Sequence, residues 1–206
     1  CNRKDHHVVP ICWGGLSPNP QKRRITMLTN ICTTGTTIPL SVKDKPLFGT
    51  KEWSDYNVNC VTGCSHDCRY CYAKTMAIRF KRKTSDTWKD EGIRTNQLSK
   101  RFMKRKNGKR FMFPTTHDIT PTNLSACIEK LTHLLTPGNE GVIVTKPHLE
   151  CIEMLCEVFP MFKDRFIFRF TVGSNDSDTL KFWEPGAPDF EERLASLKYA
   201  HSKGYQ

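Results

Sequence analysis

From Tyr56 onward, hydrophobic positions switch repeatedly between a period of two and a period near 3.6, and each switch marks an element. Tyr56-Asn57-Val58-Asn59-Cys60-Val61 alternates as a strand, and after a short cysteine-bearing loop a helix is expected from about Tyr72 to Arg82. Arg110-Phe111-Met112-Phe113-Pro114 reads as a second strand. Thr120-Pro121 then opens a helix with Leu124, Cys127, Ile128, Leu131, Leu134 and Leu135 on one face, stopped by Pro137-Gly138. Gly141-Val142-Ile143-Val144-Thr145 is a third strand, and Pro147 starts a helix carrying Leu149, Ile152, Leu155 and Cys156. Phe166 to Val172 is a fourth strand. The last helix begins near Asp189, whose carboxylate can cap it with Glu192 three residues on, and stops at Gly204.

Four strand–helix units in a row predict parallel strands with helices outside. The expected fold is α/β: a partial (β/α) TIM-type barrel over residues 56–206, truncated after its fourth strand–helix unit, with a polar, basic insertion at about 83–109. Residues 1–55 show no clear period and read as an irregular N-terminal extension. A half-barrel exposes the edge of its fourth strand, for missing residues or a partner chain to cover.

Composition narrows the class. At 206 residues, with 37% hydrophobic and 26% charged content, the chain suits one sizeable globular domain. No apolar run approaches the roughly 18 residues of a membrane helix, and the first twenty residues are polar with Pro10, Pro18 and Pro20, so neither a membrane span nor a secretory signal is expected. A start at Cys1 without methionine suggests a processed or incomplete N-terminus. The expected location is cytoplasmic, and the ten cysteines read as thiols in a reducing compartment rather than as a disulfide scaffold. The net charge of +11 is concentrated: residues 74–110 hold 14 Lys and Arg against 3 acids, while the remaining 18 basic residues are balanced by 18 acidic ones. A local field of this kind attracts polyanions such as nucleic acid; a solvated helix face is the simpler alternative.

The chemistry concentrates in Gly63-Cys64-Ser65-His66-Asp67-Cys68-Arg69-Tyr70-Cys71-Tyr72. Thiolate is the ligand of iron–sulfur clusters, and the C-x-x-x-C-x-x-C spacing can hold three corners of a four-iron cube and leave the fourth iron uncapped. Structural zinc is the rival, closed by Cys60 or His66 as fourth ligand. Cys1, Cys12, Cys32 and His6-His7 match no ligand spacing. In parallel α/β sheets ligands bind at the carboxyl ends of strands. The cysteine loop, Thr115 to Asp118, Thr145-Lys146 and Thr171 to Asn175 all follow strands, so they are expected to face one mouth. Its hydroxyls, one ammonium and one carboxylate suit the amine and carboxylate of an amino acid.

The cysteine run resembles the signature of radical S-adenosyl-L-methionine (SAM) enzymes, and the downstream motifs are similar to the spore photoproduct lyase and DNA repair photolyase-like branch. Thr116-His117-Asp118-Ile119 resembles that branch's T-S-D-I, Val144-Thr145-Lys146 its V-T-K, and Arg169-Phe170-Thr171-Val172 its R-F-S-I. Trp183-Glu184-Pro185-Gly186, with Glu192-Arg193-Leu194 downstream, is similar to its E-P-G and following helix. The resemblance runs in order over residues 56–206. It implies a 4Fe-4S cluster on Cys64, Cys68 and Cys71, and SAM chelating the fourth iron. It further implies Tyr70 along the adenine, Thr116 or His117 at the methionyl amine, Lys146 and Thr171 at the carboxylate, and Asp118 and Ser174 among the other cofactor contacts. Tyr72 matches a hydrogen-relaying tyrosine. The implied partners are nucleic acid along 74–110 and an electron donor such as flavodoxin or ferredoxin. The sequence departs where the lyase carries a hydrogen-returning cysteine, since that position is Thr115, and its T-S-D serine is His117. Two other function classes compete: a zinc-stabilised basic module that binds nucleic acid without catalysis, and a half-barrel subunit completed by another chain.

Overall fold

The computed structural model describes residues 49–104 and 109–206; the N-terminal extension read from the sequence lies outside the described residues up to 48. Strands β1 (Tyr56–Asn57), β4 (Arg110–Phe113), β5 (Glu140–Thr145) and β6 (Phe166–Phe170) form one sheet in the order β1-β4-β5-β6, and every pair in it is parallel. The shorter strands β2 (Val61–Thr62) and β3 (Gly92–Ile93) pair antiparallel in a separate ribbon. The protein is α/β with a four-stranded parallel sheet. Among the described residues the sheet is open, and the expected barrel is not shown.

Side-chain alternation places the core. Phe111 and Phe113 of β4, Ile143 of β5, and Phe166 and Phe168 of β6 point to one face and join a single buried cluster with residues of α3 (Leu124–Leu135), α4 (Leu149–Val158) and α6 (Phe190–Ser202). Gly141 stands in register between Phe111 and Phe166. A Cβ there would lie 2.5 Å from the Phe111 ring, so only glycine lets that ring cross the strand. Helix α3 buries Cys127, Leu131, Leu134 and Leu135, and α4 buries Cys151, Ile152, Leu155 and Cys156, the positions their period selects. Asp189 caps α6 by accepting from the Glu192 amide at 2.8 Å, as expected.

Four features differ from the expectation. The first strand breaks after Asn57, because Asn59 turns its amide toward residues 115 and 116 instead of continuing the ladder. The first helix, α1 (Tyr72–Arg79), ends a turn early in a left-handed residue, Lys81 at φ 54°, with the Arg82 amide donating to Ala77 O and that of Lys81 to Ile78 O. The helix α5 (Ser177–Trp183), capped by Asp176, has no counterpart in the period reading. The basic insertion is not a free loop: it contributes a short 3-10 helix (Asp86–Lys89), β3 and α2 (Thr95–Leu98). Residues 97–102 of it are pinned by the buried Lys130 of α3, whose ammonium donates to the Gln97 and Lys100 carbonyls and lies 4.5 Å from the Phe102 ring centre.

The edge of β6 is not bare. The Phe168 amide donates to the Gln206 carbonyl at 2.8 Å, and the Tyr205 ring packs 5.4 Å from both Phe166 and Phe168. Among the described residues no helix is long and apolar enough to cross a membrane.

Ile152 is fully enclosed between α4 and the sheet whereas Met154, two residues on, is exposed. Ile152→Ala is expected to cost about 2–5 kcal/mol of unfolding free energy and Met154→Ala well under 1 kcal/mol, read from urea titrations of both variants.

Candidate functional site

The cysteine loop has almost no regular structure, yet its backbone is fixed by residues far away in sequence. Gly63 sits at φ 92°, and a Cβ there would lie 2.4 Å from Asp90 O and 2.7 Å from Trp88 O, so the insertion's backbone presses on the loop where only glycine fits. The Cys64 amide donates to Trp88 O at 3.0 Å. Next to it, the Ser65 amide donates to Glu91 Oε1 at 2.9 Å, while Glu91 Oε2 accepts from the Thr120 hydroxyl at 2.7 Å and Asn123 Nδ2 at 2.9 Å. On the other flank the Arg69 amide donates to Trp183 O and the Gly186 amide donates to His66 O. Gly186 itself touches the loop so closely that a Cβ would be 2.3 Å from Ser65 O.

Cys64 and Cys68 are buried, at 5% and 6% exposure, and Cys71 is half-buried; all three are free thiols. Burial pushes the Cys64 thiol up to about 12, and the Asp118 charge adds to it. Burial likewise raises Cys68 to about 12, against the pull of Lys146. Cys68 in turn acts on Cys64, and Cys71 on Cys68. Binding a metal here must therefore expel protons from two thiols at neutral pH. Cys71 differs, since its sulfur accepts from the Lys74 amide at 3.4 Å and caps α1. Three free thiols on a loop braced from outside, with Cys64 in a buried cluster with Ala73, Ala77 and Trp88 and Cys71 packed against that cluster, are of the ligand type an iron–sulfur cluster takes.

Asp118, in the loop after β4, is the hub that joins the cysteine loop to the strand ends. Oδ1 accepts from the Lys146 amide at 2.9 Å and the Thr145 hydroxyl at 3.1 Å; Oδ2 faces His66 Nδ1 at 3.0 Å and Lys146 Nζ at 3.4 Å. Burial opposes the charge on Asp118, but Lys146 and His66 outweigh it and hold the carboxyl well below its usual range. Burial disfavours the Lys146 ammonium too, but Asp118, together with Cys68, Tyr70 and Glu184, outweighs it and holds this lysine above its ordinary value, so it stays charged. The fully buried His66 continues the chain: its Nε2 meets His148 Nε2 at 2.9 Å, and His148 Nδ1 lies 3.5 Å from Glu192. His148 is lowered from the ordinary histidine value by burial and then by His66.

Tyr70 donates its hydroxyl to Glu184, and Lys146 Nζ lies 5.9 Å from its ring centre. Burial and the Glu184 charge keep that hydroxyl protonated far above neutral pH. Glu184 is buried and paired at 2.5 Å with the buried Arg193, which also donates to Pro188 O at 2.8 Å and Thr171 O at 3.1 Å.

The structure thus brings Cys64, Cys68, Tyr70, Asp118 and Lys146 together. Tyr72 and Thr115 also meet, the tyrosine hydroxyl donating to the Thr115 carbonyl, and Asn59 clasps the amides of Thr115 and Thr116 at 2.7 and 2.8 Å. Thr171 joins through its backbone, donating to Thr145 O at 2.9 Å. His117 turns inward, with Nε2 accepting from the Cys60 amide at 3.3 Å and Nδ1 donating to Asp118 O at 3.0 Å, so both ring nitrogens are committed. Ser174 stays on its own loop, accepting from the Asp176 amide. The ammonium and carboxylate expected to grip a ligand are paired with each other, because opposite charges in a shielded place satisfy one another first.

Sequence reading missed the bracing roles of Asn59, Glu91, His148 and Arg193. Glu91 carried a faint signal as an acid within the basic insertion. Arg193 carried another: it shares an inward face of α6 with Ser196 and Ala200, two side chains small enough to leave it room. One cation-sized grouping also emerges, Cys64, His66 and Asp118, whose ligand atoms lie within 4.8 Å of one another.

Because Glu184 and Arg193 are buried as a pair, Arg193→Met strands a carboxylate. It is expected to cost about 3–5 kcal/mol in denaturant unfolding, and most of that loss should be recovered in the double variant with Glu184→Leu.

Compared with family models, curated proteins and solved structures, the chain finds no match in any of the three.

Proposed function

We propose that this chain is a radical SAM enzyme in which Cys64, Cys68 and Cys71 hold a 4Fe-4S cluster inside a partial (β/α) barrel. The observation that carries the reading is the convergence of two buried thiols with Asp118, Lys146 and Tyr70 at the carboxyl ends of parallel strands. When bound, the cluster and SAM supply reductive cleavage of the sulfonium and a 5′-deoxyadenosyl radical that abstracts hydrogen from a substrate.

The chain's own side chains position and shield. Tyr70, tethered by Glu184, presents its ring for the adenine. Thr116, Asp118, Lys146 and Thr171 line the methionyl side, where Asp118 is the acceptor suited to an amine and Lys146 the donor suited to a carboxylate. His117, with its ring nitrogens spent on the backbone, sets the Asp118 loop, and Ser174 closes the fourth strand's end. Tyr72 and Thr115 stand together at the mouth, where the tyrosine O–H is the group able to relay a hydrogen atom. Thr115 offers an O–H bond much stronger than a thiol's S–H, so hydrogen return from that position is not part of this chemistry. Nucleic acid is the proposed substrate class, drawn by the basic segment 74–110.

A second reading rests on the grouping of Cys64, His66 and Asp118: a zinc-stabilised basic module without catalysis. Anaerobic reconstitution with iron and sulfide separates the two. The enzyme reading expects about four irons per chain and 5′-deoxyadenosine after dithionite reduction, with both lost in Cys64→Ala, Cys68→Ala and Cys71→Ala. About one zinc, no iron and no 5′-deoxyadenosine overturns it.

A further inference from the structure

Two thiols lie outside the cysteine loop and outside the chemistry proposed above. Cys60, between β1 and β2, and Cys127, on the buried face of α3, are fully enclosed in the main core, whereas Cys64 sits in a separate cluster with Trp88. The Cys60 sulfur is turned toward α3. It lies 3.9 Å from the carbonyl of Ala126, the residue before Cys127, and the two thiols are within hydrogen-bonding reach of each other. Cys127 carries one S–H and meets two acceptors, the Cys60 sulfur and Asn123 Oδ1 at 3.1 Å. A hydrogen bond from Cys127, aided against burial by His117 and Lys130, holds the Cys60 thiol below its ordinary value. Thiolate is the form of cysteine that attacks an oxidant.

We propose that Cys60 and Cys127 are a modification site, a dithiol that hydrogen peroxide converts to a disulfide, and that the new bond loosens the cysteine loop. Both sulfurs are enclosed, so the oxidant must be small and enter through local opening. The Cys60 thiolate attacks one peroxide oxygen; the O–O bond breaks, and hydroxide leaves and takes up the proton that Cys60 gave up. The Cys127 sulfur then attacks the sulfenic sulfur, an S–S bond replaces the S–O bond, and water leaves with the Cys127 proton. Two thiols lose two electrons, and one peroxide becomes two waters. Three hydrogen bonds in series connect the pair to the loop. Cys127 donates to Asn123 Oδ1, Asn123 Nδ2 donates to Glu91 Oε2 at 2.9 Å, and Glu91 Oε1 accepts from the amide of Ser65, next to Cys64, at 2.9 Å. A disulfide has no S–H. Oxidation therefore removes the first bond of the series and leaves Asn123 Oδ1 with the Thr120 amide, at 3.2 Å, as its donor.

The test treats the full reduced chain, without added metal, with hydrogen peroxide, quenches it with iodoacetamide and maps its peptides by mass spectrometry. The proposal expects a peptide pair joined through Cys60 and Cys127 and lighter by two hydrogens, absent from Cys60→Ala and Cys127→Ala. Amide hydrogen exchange over residues 63–68 is expected to run about tenfold faster in the oxidised wild type than in Cys60→Ala given the same treatment, a control that carries any oxidation of the loop thiols themselves. Without peroxide, Cys127→Ala, which deletes the donor to Asn123, should already exchange fast there, and Cys127→Ser, which keeps a donor, should exchange slowly; circular dichroism checks the fold of each variant. A link from Cys127 to Cys151, no link at a dose that oxidises the loop thiols, or a link that leaves exchange over 63–68 unmoved overturns the proposal. No part of this test uses iron or SAM, so its outcome and that of the function proposed above are separate.

Discussion

One shielded carboxylate organises the site. A charge withdrawn from water must find several donors at once, and Asp118 finds them on two separate pieces of chain: Thr145 and Lys146 at the end of β5, and His66 from the cysteine loop. Because both partners of the Asp118–Lys146 pair are largely enclosed, neither can leave without stranding the other. The position of the loop is therefore tied to the ends of β4 and β5, and the sheet acts as the reference frame for the thiols.

Two other carboxylates extend the same principle. Glu91 bonds the Ser65 amide on one side of the loop and the start of α3 on the other. Glu184, held by Arg193, fixes Tyr70, and the backbone around Trp183 and Gly186 stitches the loop's far flank. A loop of few internal hydrogen bonds thereby acquires one shape from three anchors, each from a different element. These anchors fix the backbone that carries Cys64, Cys68 and Cys71.

The parts of the fold that rest on period were legible. Leu131, Leu134 and Leu135 in α3, and Ile152 and Leu155 in α4, lie where a 3.6-residue repeat puts them, and Asp189 caps α6 as its side chain dictates. The four parallel strands followed from the order of elements. What did not follow depends on tertiary partners. Asn59 reads as one more polar residue in an alternating strand, and nothing local says that its amide bridges to residues 115 and 116. The pairing of Val61-Thr62 with Gly92-Ile93 joins segments too short for any periodicity. At the site, the residue types and their strand-end positions could be read, because backbone topology brings strand ends together. Their pairing could not: that Lys146 spends its charge on Asp118, and His117 its nitrogens on backbone, is decided by distances no spacing encodes.

The insertion presses its own backbone against Gly63, lends Trp88 O to Cys64 and Glu91 to Ser65, and pairs β3 with β2. It also carries much of the chain's positive charge. The basic insertion and the cysteine loop thus share one set of bonds. If the thiols hold a metal, a polyanion that favours one arrangement of residues 86–93 would change their affinity for it, and the metal would change the affinity for the polyanion by the same factor.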